Sequence, residues 1–201
     1  MVGDQFMLDG VFFYWFSWIF CVIILFFMKK GMQRTYLLYW VLISIMLVNQ
    51  FINIDSYTLS MGFIVTFWGA FIGLASLGRT IYHLVISLVI MIGYAGLLLI
   101  EVNAPIWVFI PRYLFIAGTC TIVISILTKD FYSRVMTTLV GLSSGEILYN
   151  FITANYFFPS VIGDLAFMDI MMIIVFLLFL MYQYQQLKYQ LTVYLKYQSR
   201  I

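Results

Sequence analysis

The chain has 201 residues, of which 65% are hydrophobic and 9% charged, with a net charge of +2 and a mean hydropathy of +1.06. Soluble domains carry roughly 25% charged and 45–50% apolar residues, so a soluble globular fold is excluded. At about 20 residues per crossing, apolar runs fill the chain and leave almost nothing for a soluble domain.

Cutting at charged and turn-forming residues gives seven apolar stretches: Val11–Met28, Thr35–Ile52, Ser60–Leu77, Leu84–Ile100, Ile106–Leu127, Val135–Phe157 and Leu165–Tyr182. The predicted fold is an all-α integral membrane bundle of seven transmembrane helices over residues 1–182, followed by a basic helical tail over 183–201. Asp4 and Asp9 precede the first stretch without a basic residue, and Lys29-Lys30 follows it, which argues against a cleaved signal peptide. The links alternate in charge. Lys29, Lys30, Arg34, Arg79, Lys129, Arg134, Lys188, Lys196 and Arg200 fall on one side, nine of the ten Lys and Arg. The other side holds Asp4, Asp9, Asp55, Glu101, Asp164 and Asp169, with Arg112 its single basic residue. The positive-inside rule then puts the N-terminus outside and the C-terminus in the cytoplasm.

The five tryptophans, Trp15, Trp18, Trp40, Trp68 and Trp107, suit interfacial anchoring. Cys21 and Cys120 each fall near the middle of a stretch, where a packed thiol acts as a small hydrophobe, so no disulfide is expected. In the third stretch Gly62, Thr66, Gly69, Ala70, Gly73 and Ser76 share one side, and Gly69 to Gly73 is a G-x-x-x-G. Small residues let helix backbones approach closely, against a neighbour in the same chain or against a second copy. The neighbour is the expected contact, since every helix of a seven-helix bundle needs several.

Few motifs carry chemistry. Gly141-Leu142-Ser143-Ser144-Gly145 matches G-x-S-x-G, yet the strand-to-helix turn that pattern requires is missing. The one histidine, His83, precedes the serine and lies near the cytoplasmic boundary, so the serine has no positioned base. Small-residue packing explains the stretch better. One His, two separated Cys and scattered acids give no metal-ligand spacing, and the final span has no lysine for a retinal-type pigment. No phosphate-cradling glycine loop is present, and the modest basic excess suits anionic lipid rather than nucleic acid. No cofactor and no enzymatic activity are expected.

Glu146 stands at the centre of the sixth stretch, too far from either end to reach an interface. An acid there costs about 2.5–3.5 kcal/mol on translocon scales and usually faces the bundle interior or a water-filled cavity. Ser143, Glu146, Asn150 and Thr153 follow at spacings of 3, 4 and 3, which aligns them as one inward polar stripe. If the fifth and sixth stretches form an antiparallel hairpin, Arg112 lies at nearly the depth of Asn150 and can join Glu146. Asn49, Gln50 and Asn53 at the outer end of the second span are candidates to extend the group. Two readings follow: a polar pocket or proton-accessible site in the outer half of the membrane, or a structural clasp that fixes helix register. The tail after Tyr182 continues without Gly or Pro and with Tyr184, Leu187, Leu191 and Tyr194 on one stripe, so a helix lying on anionic lipid or docking a partner is expected.

The stretch Gly10-Val11-Phe12-Phe13-Tyr14-Trp15-Phe16-Ser17-Trp18, followed by Phe26-Phe27-Met28-Lys29-Lys30-Gly31, resembles the start of the YphA-like family of small polytopic membrane proteins from Bacillus and relatives. The resemblance implies a multi-pass plasma-membrane protein of endospore-forming bacteria, tied to sporulation or envelope assembly, and carries over no catalytic residue. The leading expectation is a non-enzymatic envelope or membrane-assembly factor whose partners are the bilayer, a second copy or other membrane proteins. The alternative is a small-solute or proton-coupled transporter, or a ligand sensor, with its pocket around Glu146.

Overall fold

In hydrocarbon a backbone must satisfy its own hydrogen bonds, so long apolar runs without internal proline become helices. The computed structural model describes residues 9–54, 57–103, 112–154 and 161–198, with the side chains of 54, 112 and 193–198 outside that description. The described residues form seven helices: α1 (Val11–Phe27), α2 (Met32–Leu47), α3 (Met61–Ala75), α4 (Thr80–Asn103), α5 (Arg112–Leu127), α6 (Phe131–Thr153) and α7 (Leu165–Gln198). By length and composition alone, α4 and the segment Leu165–Thr192 of α7 can each cross a membrane. Helices α1, α2, α3 and the segment Tyr113–Leu127 are apolar but no longer than 17 residues.

The second stretch ends earlier than expected. Instead of continuing to Ile52, the helix stops at Leu47 and the chain enters a hairpin of β1 (Phe51–Ile54) and β2 (Tyr57–Ser60), paired Phe51 to Ser60 and Ile54 to Tyr57. A third strand, β3 (Val161–Ile162), adds in parallel to β2 with Thr58 opposite Val161. The β-branched Ile52, Ile54, Thr58, Val161 and Ile162 favour this extended form over helix. The sheet ties the α2–α3 connection to the α6–α7 connection.

Three further bonds fix which helix ends lie together. Asp169 on α7 accepts the backbone N–H of Gly10 at 2.8 Å and of Phe13 at 2.6 Å, seating the start of α1 on the start of α7. Gly10 holds φ +91°, and its Cα lies so close to Leu165 that a Cβ would meet that side chain at 3.1 Å, so glycine suits this entry both sterically and conformationally. Tyr113 at the start of α5 donates to Asp9 at 2.6 Å. The starts of α1, α3, α5 and α7 therefore share one end with the sheet. At the opposite end Tyr82 of α4 donates to the Leu127 carbonyl at 3.0 Å, and the Phe131 ring meets that of Tyr182 at a tilt of 34°, 4.8 Å between centroids.

Helix α6 is the axis of the packing: it lies against α4, α3 and α7, while α7 also packs on α1 and α5. The hairpin expected between the fifth and sixth stretches is corrected here. Helix α5 meets α7 and α4 more than the α6 that follows it. The reason is on α6, where a Cβ at Gly141 would stand 2.8 Å from Ile90 Cβ and one at Gly145 would stand 2.9 Å from the Met91 carbonyl oxygen. This pair is itself a G-x-x-x-G, and it brings the α4 backbone into direct contact.

Polarity is distributed inside out. Ser133, Thr137, Thr138, Ser143, Glu146, Asn150 and Thr153 of α6 are buried, whereas Trp15, Phe26, Phe27, Ile126 and Phe151 on the perimeter are each more than two-thirds exposed. A soluble protein could not carry that apolar perimeter without aggregating; a bilayer covers it. Arg134, one of the basic residues counted on the cytoplasmic side, does not stand free at that end. It is buried, with Nε donating to the Thr128 carbonyl at 2.8 Å and Nη2 to that of Ser125 at 3.4 Å, at the negative end of the α5 dipole.

Candidate functional site: a polar cluster between α4 and α6

The stripe of Ser143, Glu146, Asn150 and Thr153 begins as helical spacing and ends as a buried face of α6. Glu146 is 6% exposed, and both its carboxylate oxygens are engaged. Tyr94 of α4 donates its hydroxyl to Oε2 at 3.1 Å, and Asn150 donates Nδ2 to Oε1 at 3.1 Å and to the Glu146 carbonyl at 2.8 Å. Thr153 donates to the Tyr149 carbonyl at 2.9 Å, one turn back along its own helix. Ser143 is fully buried, and its hydroxyl has no partner among the described residues.

Tyr94 is positioned from two sides. Its ring meets Phe167 of α7 edge-on at 6.1 Å, and the bare Cα of Gly145 leaves room for it, since a Cβ there would stand 2.9 Å from Tyr94 Cδ1. Gly145 and Glu146 thus act together: the glycine admits α4, and the glutamate bonds what α4 brings. The sequence carried a signal for Tyr94 in its place fourteen residues into a 24-residue helix, where a tyrosine lies far from either interface and its hydroxyl needs a partner.

Arg112 opens α5, and its side chain falls outside the described residues, as does Trp107. Asn49 and Asn53 do not extend the cluster: Asn49 donates to Tyr14 at 2.9 Å, and Asn53 accepts from Thr58 at 3.0 Å within the hairpin. Gly69 lies under Trp40 of α2, whose indole N–H donates to the Val65 carbonyl at 3.1 Å, and Gly73 faces Met136 and Tyr132 of α6. Each glycine of that G-x-x-x-G therefore faces a helix of its own chain. Cys21 and Cys120 are both free and buried.

Asp169 is the residue that reading by links obscured. It falls inside the seventh apolar stretch, and counting acids by side gives it a side of the membrane but no partner. Its two oxygens take two otherwise orphaned N–H groups at the start of α1, where the helix dipole also favours an anion. Asp164 performs the local version of the same task, accepting the Phe167 N–H at 2.7 Å as the N-cap of α7.

Among the described residues the interior holds one carboxylate between α4 and α6 and one between α1 and α7, each bound by at least one donor from the facing helix. Among the described residues no group of three or more His, Cys, Asp and Glu is arranged to hold a metal. No curated protein and no solved structure matches the chain. A family does, over residues 9–200, and the chain belongs to it: the YphA-like integral membrane proteins.

Proposed function

We propose that this chain is a non-enzymatic, multi-pass protein of a bacterial plasma membrane, with seven crossings, that serves as an envelope or sporulation-associated assembly factor. The observation that carries the reading is the closure of the Glu146 cluster by Tyr94 and Asn150, which makes the polar interior a clasp between helices. A clasp fixes register and leaves the apolar perimeter as the surface for lipid, a second copy or other membrane proteins. Purified protein reconstituted into vesicles is expected to show no saturable solute or proton flux, while crosslinking in the native membrane recovers defined membrane-protein partners or a dimer. Saturable flux would replace assembly with transport. One observation favours that second reading, of a small-solute or proton-coupled transporter or a ligand sensor: the buried, unpartnered Ser143 hydroxyl one turn from Glu146.

The proposed orientation is N-terminus outside and C-terminus cytoplasmic, with the basic tail lying on anionic lipid. Supporting it, Lys29, Lys30, Arg34, Arg79 and Lys129 gather at the end of the bundle opposite Asp9, Asp164 and Asp169. Impermeant thiol reagents applied from outside are expected to label single cysteines placed at Asp55 and Glu101 but not at Lys129 or the C-terminus. Labelling at Lys129 would reverse the orientation.

A further inference from the structure

At the basic end of the bundle an open cleft of about 760 Å³ runs between α2 from Met32 to Trp40, α3 from Gly69 to Ser76 and α6 from Phe131 to Met136. Its volume is that of a small-molecule site. The eight steps from Met32 to Trp40 rise about 12 Å, close to the roughly 15 Å of hydrocarbon in one leaflet. Gly69 and Gly73 form part of its floor, and its walls are predominantly apolar or aromatic.

Cations stand beside the mouth rather than in its lining: Lys29 and Lys30 follow directly on the lining residue Met28, and Arg34, next to the lining residue Gln33 in the first turn of α2, is about 100° round the helix from it and reaches the mouth by its long side chain. Residues 10–54 contain no acid, and no ion pair engages these three cations among the described residues. Helix α2 begins at the same mouth with neither a side-chain cap nor an acidic first turn. Asp130, beside Lys129, is the single acid at this end among the described residues. An apolar slot one leaflet deep beneath three unpaired cations matches one molecule in shape and charge. The geometry points to a bound anionic phospholipid, with an acyl chain in the cleft against Trp40 and its phosphate held by Lys29, Lys30 and Arg34. Zwitterionic lipid fits the slot equally but lacks the net charge the mouth selects.

Trp40 reports occupancy directly. In a variant with Trp15, Trp18, Trp68 and Trp107 replaced by Phe, reconstituted into phosphatidylcholine vesicles, brominated phosphatidylglycerol at low mole fraction is expected to quench Trp40 at least twofold more than brominated phosphatidylcholine. Lys29→Gln/Lys30→Gln/Arg34→Gln should equalise the two lipids while leaving quenching by phosphatidylcholine unchanged, which also reports that the variant is folded. Lys188→Gln/Lys196→Gln should preserve the difference. Equal quenching by both lipids before any charge is removed would overturn the proposal. So would an unquenched Trp40, or quenching that disappears as the protein-to-lipid ratio rises, which would give the cleft to a second copy. A second measurement keeps all five tryptophans: the phosphatidylglycerol-to-phosphatidylcholine ratio retained by protein purified from mixed vesicles should fall at least twofold in both the triple variant and Ser76→Phe. An unchanged ratio in both would equally overturn it.

Discussion

Asp169→Leu unseats the first helix. Two backbone N–H groups, those of Gly10 and Phe13, lose an acceptor at a site where no water replaces it, because Asp169 is fully buried. Each buried donor left without a partner costs about 1–3 kcal/mol, and the favourable placing of an anion at the α1 N-terminus is lost as well. The expected loss is about 4 kcal/mol, a large part of a typical stability margin of roughly 5–15 kcal/mol. Asp169→Asn falls between leucine and the native residue, since its single carbonyl oxygen serves one amide while its NH₂ confronts the other. Thermal unfolding in detergent should show a drop of roughly 10 °C for leucine. Proteolysis in the link after Phe27 should accelerate more than cleavage in the α5–α6 link, because α1 detaches while α6 keeps its neighbours. A leucine variant that melts with the native protein would show that α1 is held by its apolar face alone.

That prediction also marks how far the sequence could be read. Seven helices, the polar stripe of α6 and the gathering of small residues were legible because each follows from a local period: 3.6 residues per turn, or a glycine every fourth position. The hairpin at Phe51–Ser60 was not, because a run of apolar β-branched residues reads the same in a strand as at the end of a membrane helix. Part of its pairing comes from β3, roughly a hundred residues later, which no local period reveals. Asp169 and Tyr94 were hidden for a related reason. A single polar residue within an apolar stretch reveals that it needs a partner but not which helix supplies it. Partner choice was set by which backbones approach closely, and Gly141 and Gly145 direct α6 to α4 rather than to its sequence neighbour α5. Small-residue packing is the reading that the sequence itself favours for Gly141 to Gly145, but the spacing names no partner helix. Arg134 shows the converse: link charge gives its side of the membrane, whereas its burial follows from the carbonyls closing α5, which the sequence does not place beside it.

Glu146 separates assembly from transport more sharply than any other position, because the two readings need different properties of the same carboxylate. Glu146→Gln keeps the shape: its amide oxygen can accept from Asn150 Nδ2, which also holds the backbone carbonyl of residue 146, and its NH₂ can donate to the Tyr94 hydroxyl, which accepts as well as donates. In a clasp, glutamine is therefore tolerated with a loss of about 1 kcal/mol or less, in line with membrane hydrogen bonds that average about 0.6 kcal/mol. Glu146→Leu is a different change. It strips the Tyr94 hydroxyl and the Asn150 amide of an acceptor in the packed α4–α6 contact, where the glycine-backed backbones leave little room to rearrange, and about 2–4 kcal/mol of stability should go with it. A double-mutant cycle with Tyr94→Phe apportions the loss: coupling of at least 0.5 kcal/mol between Glu146→Leu and Tyr94→Phe is the signature of a direct bond. In a transporter or sensor the order inverts, because a group that carries a proton or binds a cation must ionise. There glutamine abolishes flux or response with folded yield intact, whereas in the clasp it leaves both yield and cellular phenotype unchanged. Native yield for leucine together with additivity in the cycle would remove Glu146 from the account of how α4 and α6 are held, and the G-x-x-x-G from Gly141 to Gly145 would be left to hold them by packing alone.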